Sequence, residues 1–154
     1  MLREFVESKH YKFAEEAPDW REAIRMSCES LEADGTVEAD YKDQIIACVE
    51  KYGPYIVIMP DVAMPHCQEG ARGVHRTTIG FMKLEKPVSF EEGDPEKDAR
   101  LFFTLASCNS DQHLENMTKL SAVLMNEDVV KELLEAKGPE DLLRIQEKYL
   151  DHES

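Results

Sequence analysis

The stretch Gly53–Cys67, GPYIVIMPDVAMPHC, decides how this chain is read. An apolar, strand-like run, Tyr55–Met59, is stopped by Pro60-Asp61, and a second short run, Val62–Met64, leads into Pro65 and His66. The turn at Pro60-Asp61 suits antiparallel partners. Proline fixes its own φ and drives the preceding residue toward extended geometry, so the turn presenting the His66 imidazole is predicted to be stiff. A histidine held this way serves as ligand, base or nucleophile, and spacing alone does not choose among the three.

Upstream, Tyr41, Ile45, Cys48, Val49 and Tyr52 share one helical stripe. Gly53 then offers a left-handed cap and Pro54 a residue that cannot continue a helix. An earlier helix of about 15 residues starts at Asp19, which has capping-box spacing to Glu22. Its stripe is Trp20, Ile24, Cys28 and Leu31, and Gly35 supplies the stop. Cys28 and Cys48 lie on apolar stripes and read as small core residues. Before Asp19, the spacing of Leu2, Phe5, Val6, Tyr11 and Phe13 predicts a helical turn followed by an edge strand.

Downstream, Gln68–Val74 has loop composition, Thr77–Leu84 is a strand candidate, and Glu91–Lys97 is an acidic surface loop. Arg100–Ser107, RLFFTLAS, is a continuous apolar run, which predicts a central strand covered on both faces. Asn109, Ser110 and Asp111 offer N-caps to a helix with the stripe Leu114, Met117, Leu120, Ser121 and Leu124, ending near Asn126. Val129–Ala136 and Pro139–Leu150 predict two more helices, with Pro139 suited to a first helical position. The expectation is an α/β fold: one domain over residues 1–154, with a mixed central sheet of about five strands sandwiched between helices on both faces. The sense of each strand is not readable.

A chain of 154 residues, 42% hydrophobic and 32% charged, suits one ordinary soluble domain. No apolar run approaches the ~20 residues of a membrane span. The start, MLREFVESKHYKF, has no apolar signal region, so a cytoplasmic location is expected. Four cysteines without C-x-x-C spacing suggest neither a disulfide framework nor a redox motif. A net charge of −14 argues against nucleic-acid binding and fits charge-steered partners carrying basic patches.

The five histidines sort by context. His10 and His152 lie near the ends among charged residues and read as solvated, and His75 beside Arg76 reads as a surface residue. His66 ends a strand. His113 falls near the start of a capped helix directly after the most apolar strand. Loops at the strand ends of such a sheet form the crevice where chemistry is done, so the two can converge there. A helix start also favours an anion, and a phosphoryl group is one candidate.

These residues resemble a known family: the enzyme IIA component of the phosphoenolpyruvate-dependent sugar phosphotransferase system (PTS), mannitol/fructose type. The resemblance rests on Trp20-x-x-Ala23-Ile24, Tyr41, Val62-Ala63-Met64-Pro65-His66 and His113-Leu114, in the family's order. Gly53–Ile58 with Ala63–His66 looks most like the ascorbate-specific branch. The resemblance implies that His66 accepts a phosphoryl group from the phosphohistidine of the carrier protein HPr. It implies transfer onward to a cysteine of the IIB component, and through IIB a peripheral association with the membrane component IIC. By the same analogy Nε2 of His66 attacks, forming a tele-phosphohistidine, while a backbone carbonyl holds Nδ1–H, and His113 stabilises the phosphoryl group. No cofactor or metal is expected.

This chain departs from the family in two places. A glycine commonly follows the histidine, and here Cys67 stands there; sugar-alcohol members carry an arginine ahead of the strand, and here Lys42 and Lys51 are the only cations between Tyr41 and His66. Two other readings compete with transport. One is a regulatory domain of the same fold whose phosphorylation state controls a partner protein. The other gathers His66, Cys67, Cys108 and His113 as a zinc set, against which stand adjacent ligands and the lack of paired spacing.

Overall fold

The computed structural model describes residues 1–67 and 72–151. The part of the predicted loop at residues 68–71, and His152, lie outside the described residues. The helices expected from caps and stripes are present. In α2 (Trp20–Ala33) the Asp19 carboxylate accepts from the Glu22 N–H at 2.8 Å, and Ala23, Ile24, Cys28 and Leu31 are buried along one face. In α3 (Tyr41–Tyr52) Tyr41, Ile45, Cys48 and Val49 are buried, Tyr52 is exposed, and Gly53 ends the helix at φ 85°. That positive φ is open to glycine without strain, so the chain reverses sharply into the histidine stretch. A short α1 (Leu2–Ser8) and β1 (Tyr11–Ala14) precede them, as the spacing of apolar residues predicts.

Two short strands, β2 (Val57–Met59) and β3 (Asp61–Ala63), pair antiparallel across Pro60, and Asp61 takes φ 73°. β4 (Thr78–Ser89) and β5 (Asp98–Ala106) also pair antiparallel, joined through a turn of 3-10 helix at Pro95–Lys97. The sheet order is β1-β4-β5-β3-β2, with β1/β4 and β3/β5 parallel. The mixed five-stranded sheet and the central place of the RLFFTLAS strand therefore stand as expected.

Along β5 the side chains alternate. Phe102 and Ala106 join the core under α2 and α3, while Leu101, Phe103 and Leu105 join the core on the opposite face. That opposite core is closed by α1, α4 (Ser110–Leu124), α5 (Glu127–Glu135) and α6 (Pro139–Ile145), whose last turn widens to π form over Gln146–Leu150. One helical layer thus covers each face of the sheet. Gly80 lies where β4 passes under α2, and a Cβ there would meet Leu31 Cγ at 3.3 Å.

Three expectations need correction. His10 is not solvated: it is 4% exposed, and its Nε2 lies 2.6 Å from Asp34 Oδ2. The left-handed Lys9 (φ 59°) turns the chain under the end of α2, a contact between residues 24 apart that the charged neighbours of His10 do not reveal. Asp34 also accepts from the Thr36 N–H and hydroxyl. Partial burial opposes ionisation of this carboxyl, yet the bonds from Thr36 and His10 hold it well below the usual carboxylate range. On α4, Leu114 is 67% exposed and Ser121 is also exposed; the buried stripe is Leu120, Val123 and Leu124.

Candidate active site

The parallel pairing of β3 and β5 builds the site. Ala63 stands opposite Phe102, and past the end of β3 the Leu105 N–H donates to Pro65 O at 2.9 Å. The two chain segments therefore leave the sheet at the same end, β3 running into His66 and β5 into α4, which carries His113. Their imidazole rings meet at a centroid distance of 6.3 Å with a 51° tilt. Strand carboxyl ends are where an α/β sheet offers a crevice. The two histidines singled out in the sequence are thus neighbours, while His10 and exposed His75, 3.5 Å from Glu38 Oε2, lie in other contacts.

The half-buried His66 ring is held on a defined tautomer. Its Nδ1 lies 2.6 Å from Met64 O. A carbonyl oxygen only accepts, so Nδ1 carries the proton and Nε2 keeps the lone pair. Met64 is itself fixed, because its N–H donates to Ile56 O at 2.7 Å across the β2/β3 hairpin. Burial is the largest influence on the His66 pKa and pushes it below the ordinary histidine value. The Met64 bond works against that shift, and nearby His113 adds to it. At neutral pH this ring is uncharged, with a lone pair on Nε2.

His113 is carried by a well-capped helix. The Asn109 side chain accepts from the Gln112 N–H at 3.0 Å, and the His113 N–H donates to Asn109 O at 3.0 Å. That backbone N–H is therefore committed to the helix, so His113 offers the crevice its side chain. Half-buried, it lies nearly in line along α4 with Met117, Leu120 and Leu124.

Cys67 is half-buried beside the histidine, and the exposed Cys108 lies 3.5 Å by its Sγ from Thr77 Oγ1. Among the described residues no three His, Cys, Asp or Glu side chains gather as a metal site, so the geometry gives the zinc reading no support. Two tyrosines that the sequence marks only as stripe, strand or family-motif residues prove part of the site. The buried Tyr41 hydroxyl donates to Leu105 O at 2.5 Å. The Tyr55 hydroxyl donates to the His66 carbonyl oxygen, and its ring stands edge-on to the imidazole at 5.2 Å. The one local signal for Tyr55 is its place directly behind Gly53-Pro54.

Fold and site together define an α/β domain with a paired-histidine centre at the carboxyl ends of two parallel strands. The chain belongs to the family described as "Phosphoenolpyruvate-dependent sugar phosphotransferase system, EIIA 2", which it matches over residues 4–149. It is 35% identical over 120 residues to the ascorbate-specific PTS system EIIA component of Mycoplasma pneumoniae, covering 77% of this chain and 74% of that protein. A Streptococcus mutans protein described as a PTS IIA superposes with a TM-score of 0.84 at 29% identity, covering 99% of this chain and 96% of that one. Enzyme IIA for mannitol from Escherichia coli, solved in complex with phosphorylated enzyme IIB, superposes with a TM-score of 0.75 at 26% identity, covering 90% and 95%. Among the described residues no helix is long and apolar enough to cross a membrane.

Proposed function

We propose that residues 1–154 act as one PTS enzyme IIA domain, a cytoplasmic phosphocarrier whose acceptor is His66. The observation that carries this reading is the pinned tautomer: with Nδ1–H on Met64 O, the His66 lone pair sits on Nε2, 6.3 Å by ring centroid from His113. The Nε2 lone pair attacks the phosphorus of the HPr phosphohistidine. The new N–P bond forms as the donor N–P bond breaks, and the donor imidazole leaves with the electron pair. No proton moves on His66, because Nδ1–H stays on the carbonyl. In the onward step a thiolate of IIB attacks the same phosphorus and the Nε2–P bond breaks.

Phosphoryl transfer passes through a loose transition state, so the protein's work is positioning and charge stabilisation. His113 supplies the latter by donating to an equatorial oxygen. The E. coli mannitol relative, solved with its phosphorylated IIB, supports IIB as the onward partner, and IIB links the domain to the membrane component IIC. The name of the M. pneumoniae relative supports L-ascorbate as the transported substrate.

Incubation with phosphoenolpyruvate, enzyme I and HPr is expected to give one acid-labile phosphohistidine. His66→Ala abolishes it; His113→Ala is phosphorylated slowly and transfers poorly. Phosphate uptake by His66→Ala at the wild-type rate overturns the assignment. Transfer to an ascorbate-specific IIB, compared with a mannitol IIB, tests the substrate.

A further inference from the structure

We propose that Tyr55 is a positioning residue for His66: its hydroxyl fixes the His66 peptide, and its ring limits imidazole rotation, so that the Nδ1–H tautomer persists and Nε2 stays the acceptor. The inference rests on the reading of His66 as phosphoryl acceptor.

Tyr55 is placed by the turn that opens the histidine stretch. Gly53 at φ 85° reverses the chain, the Tyr55 N–H donates to Gly53 O at 2.8 Å, and the Val57 N–H donates to Pro54 O at 3.1 Å. From this turn the hydroxyl reaches the carbonyl of a residue 11 positions later. Backbone rungs hold the histidine segment as far as Met64, through Ile56 O, and Pro65, through the Leu105 N–H. At His66 the Tyr55 side chain takes over from the ladder.

The His66 backbone sets which side-chain rotamers are allowed, and the bond from Nδ1 to Met64 O requires one of them. A carbonyl held by Tyr55 O–H fixes the peptide plane between His66 and Cys67. Without it that plane can rotate, and Nδ1 can exchange the Met64 carbonyl for water. The proton then distributes over both ring nitrogens, because the partner of one nitrogen decides the tautomer. The rings act in the same sense. Tyr55 stands edge-on to the imidazole at 5.2 Å and 87°, and His113 lies 6.3 Å from it. A phosphoryl acceptor gains from this because misplacement by about 1 Å costs on the order of 100-fold in rate.

A merely structural tyrosine would be replaced by phenylalanine with a change in melting temperature and nothing else. In Tyr55→Phe the ring remains and the hydroxyl is lost. Nitrogen-15 NMR of the full chain is expected to show wild-type His66 as the Nδ1–H tautomer and the variant as a mixture with a shifted titration midpoint. At saturating phospho-HPr the single-turnover phosphorylation rate is expected to fall by about 10- to 100-fold, with the half-saturating HPr concentration little changed. Tyr55→Leu, which also removes the ring, should fall further. A Tyr55→Phe protein with wild-type tautomer, titration midpoint and rate overturns the proposal. If the wild-type protein accepts no phosphate from HPr, the reading of His66 fails, while the tautomer comparison still decides the role of Tyr55.

Discussion

Replacing Tyr41 by phenylalanine isolates the bond that ties α3 to the end of the central strand. Tyr41 is 2% exposed and its hydroxyl donates to Leu105 O at 2.5 Å. The N–H of the same Leu105 donates to Pro65 O, immediately before His66. Burial pushes the phenol pKa upward, so the hydroxyl remains a donor across the accessible pH range. Phenylalanine keeps the ring and its packing, so the change leaves a buried carbonyl with one partner fewer. Removing a partner from a buried polar group costs about 1–3 kcal/mol. For a domain of about 150 residues, each kcal/mol lowers the melting temperature by about 2–4 °C, so a fall of roughly 2–12 °C is expected. Urea unfolding measured beside the thermal melt should show a lower midpoint with an unchanged m-value. A Tyr41→Phe protein within about 0.5 kcal/mol of wild type would mean that Leu105 O is satisfied otherwise, and the reasoning fails.

Three further outcomes follow. His66 has a pKa below the ordinary histidine value of 6.5, so more than half of its imidazole is still neutral at that pH. The rate of phosphoryl acceptance should therefore fall to half only below pH 6.5, with the midpoint moving up in His113→Ala; a wild-type midpoint at or above 6.5 contradicts the burial argument. The folded state binds fewer protons than the unfolded state in this window, so His66 contributes stability that is fully present above pH 6.5 and lost as pH falls through its folded pKa. Asn109→Ala removes the α4 cap and should cost about 0.5–2 kcal/mol, whereas Asn109→Asp should stay near wild type. Equal melting temperatures for the Ala and Asp variants would show that the cap contributes nothing.

The legible parts of this chain are those whose causes are local. Asp19 with Glu22 fixes one helix start, Gly53-Pro54 fixes a helix end, and the unbroken apolar run of β5 marks a strand covered on both sides. Both site histidines were legible for the same reason, one lying behind a proline and the other just past a capping asparagine. What stayed hidden depends on contacts between distant residues. His10 is buried by Asp34, 24 residues away. β4 runs past Leu84 to Ser89 because Val88 pairs with Ala99 across an irregularity in the register. Leu114 is apolar yet exposed, since it points away from the Leu120 face of α4. Tyr55 reaches the site through a backbone carbonyl, so only its place behind Gly53-Pro54 points to it.

The least legible fact is the one the site depends on most: that β3 and β5 are parallel neighbours. Asp61 stands opposite Ala99, but Val62 stands opposite Leu101, so β5 advances one residue more than β3 at this point. The extra residue is Arg100, whose side chain donates to Leu84 O and Leu134 O at 3.1 Å each. A strand rises about 3.3 Å per residue, and a one-residue slip also turns every side chain to the other face. Without this bulge, the end of β3 would shift by that amount relative to the strand leading to His113. A shift of about 3.3 Å is half the present separation of the two rings, 6.3 Å between centroids, and would also reverse the face on which Val62 and Ala63 enter their two cores. The position of the histidine pair is thus set at the opposite end of β3, by the left-handed Asp61 and the bulge at Arg100, as much as by Pro65 beside His66.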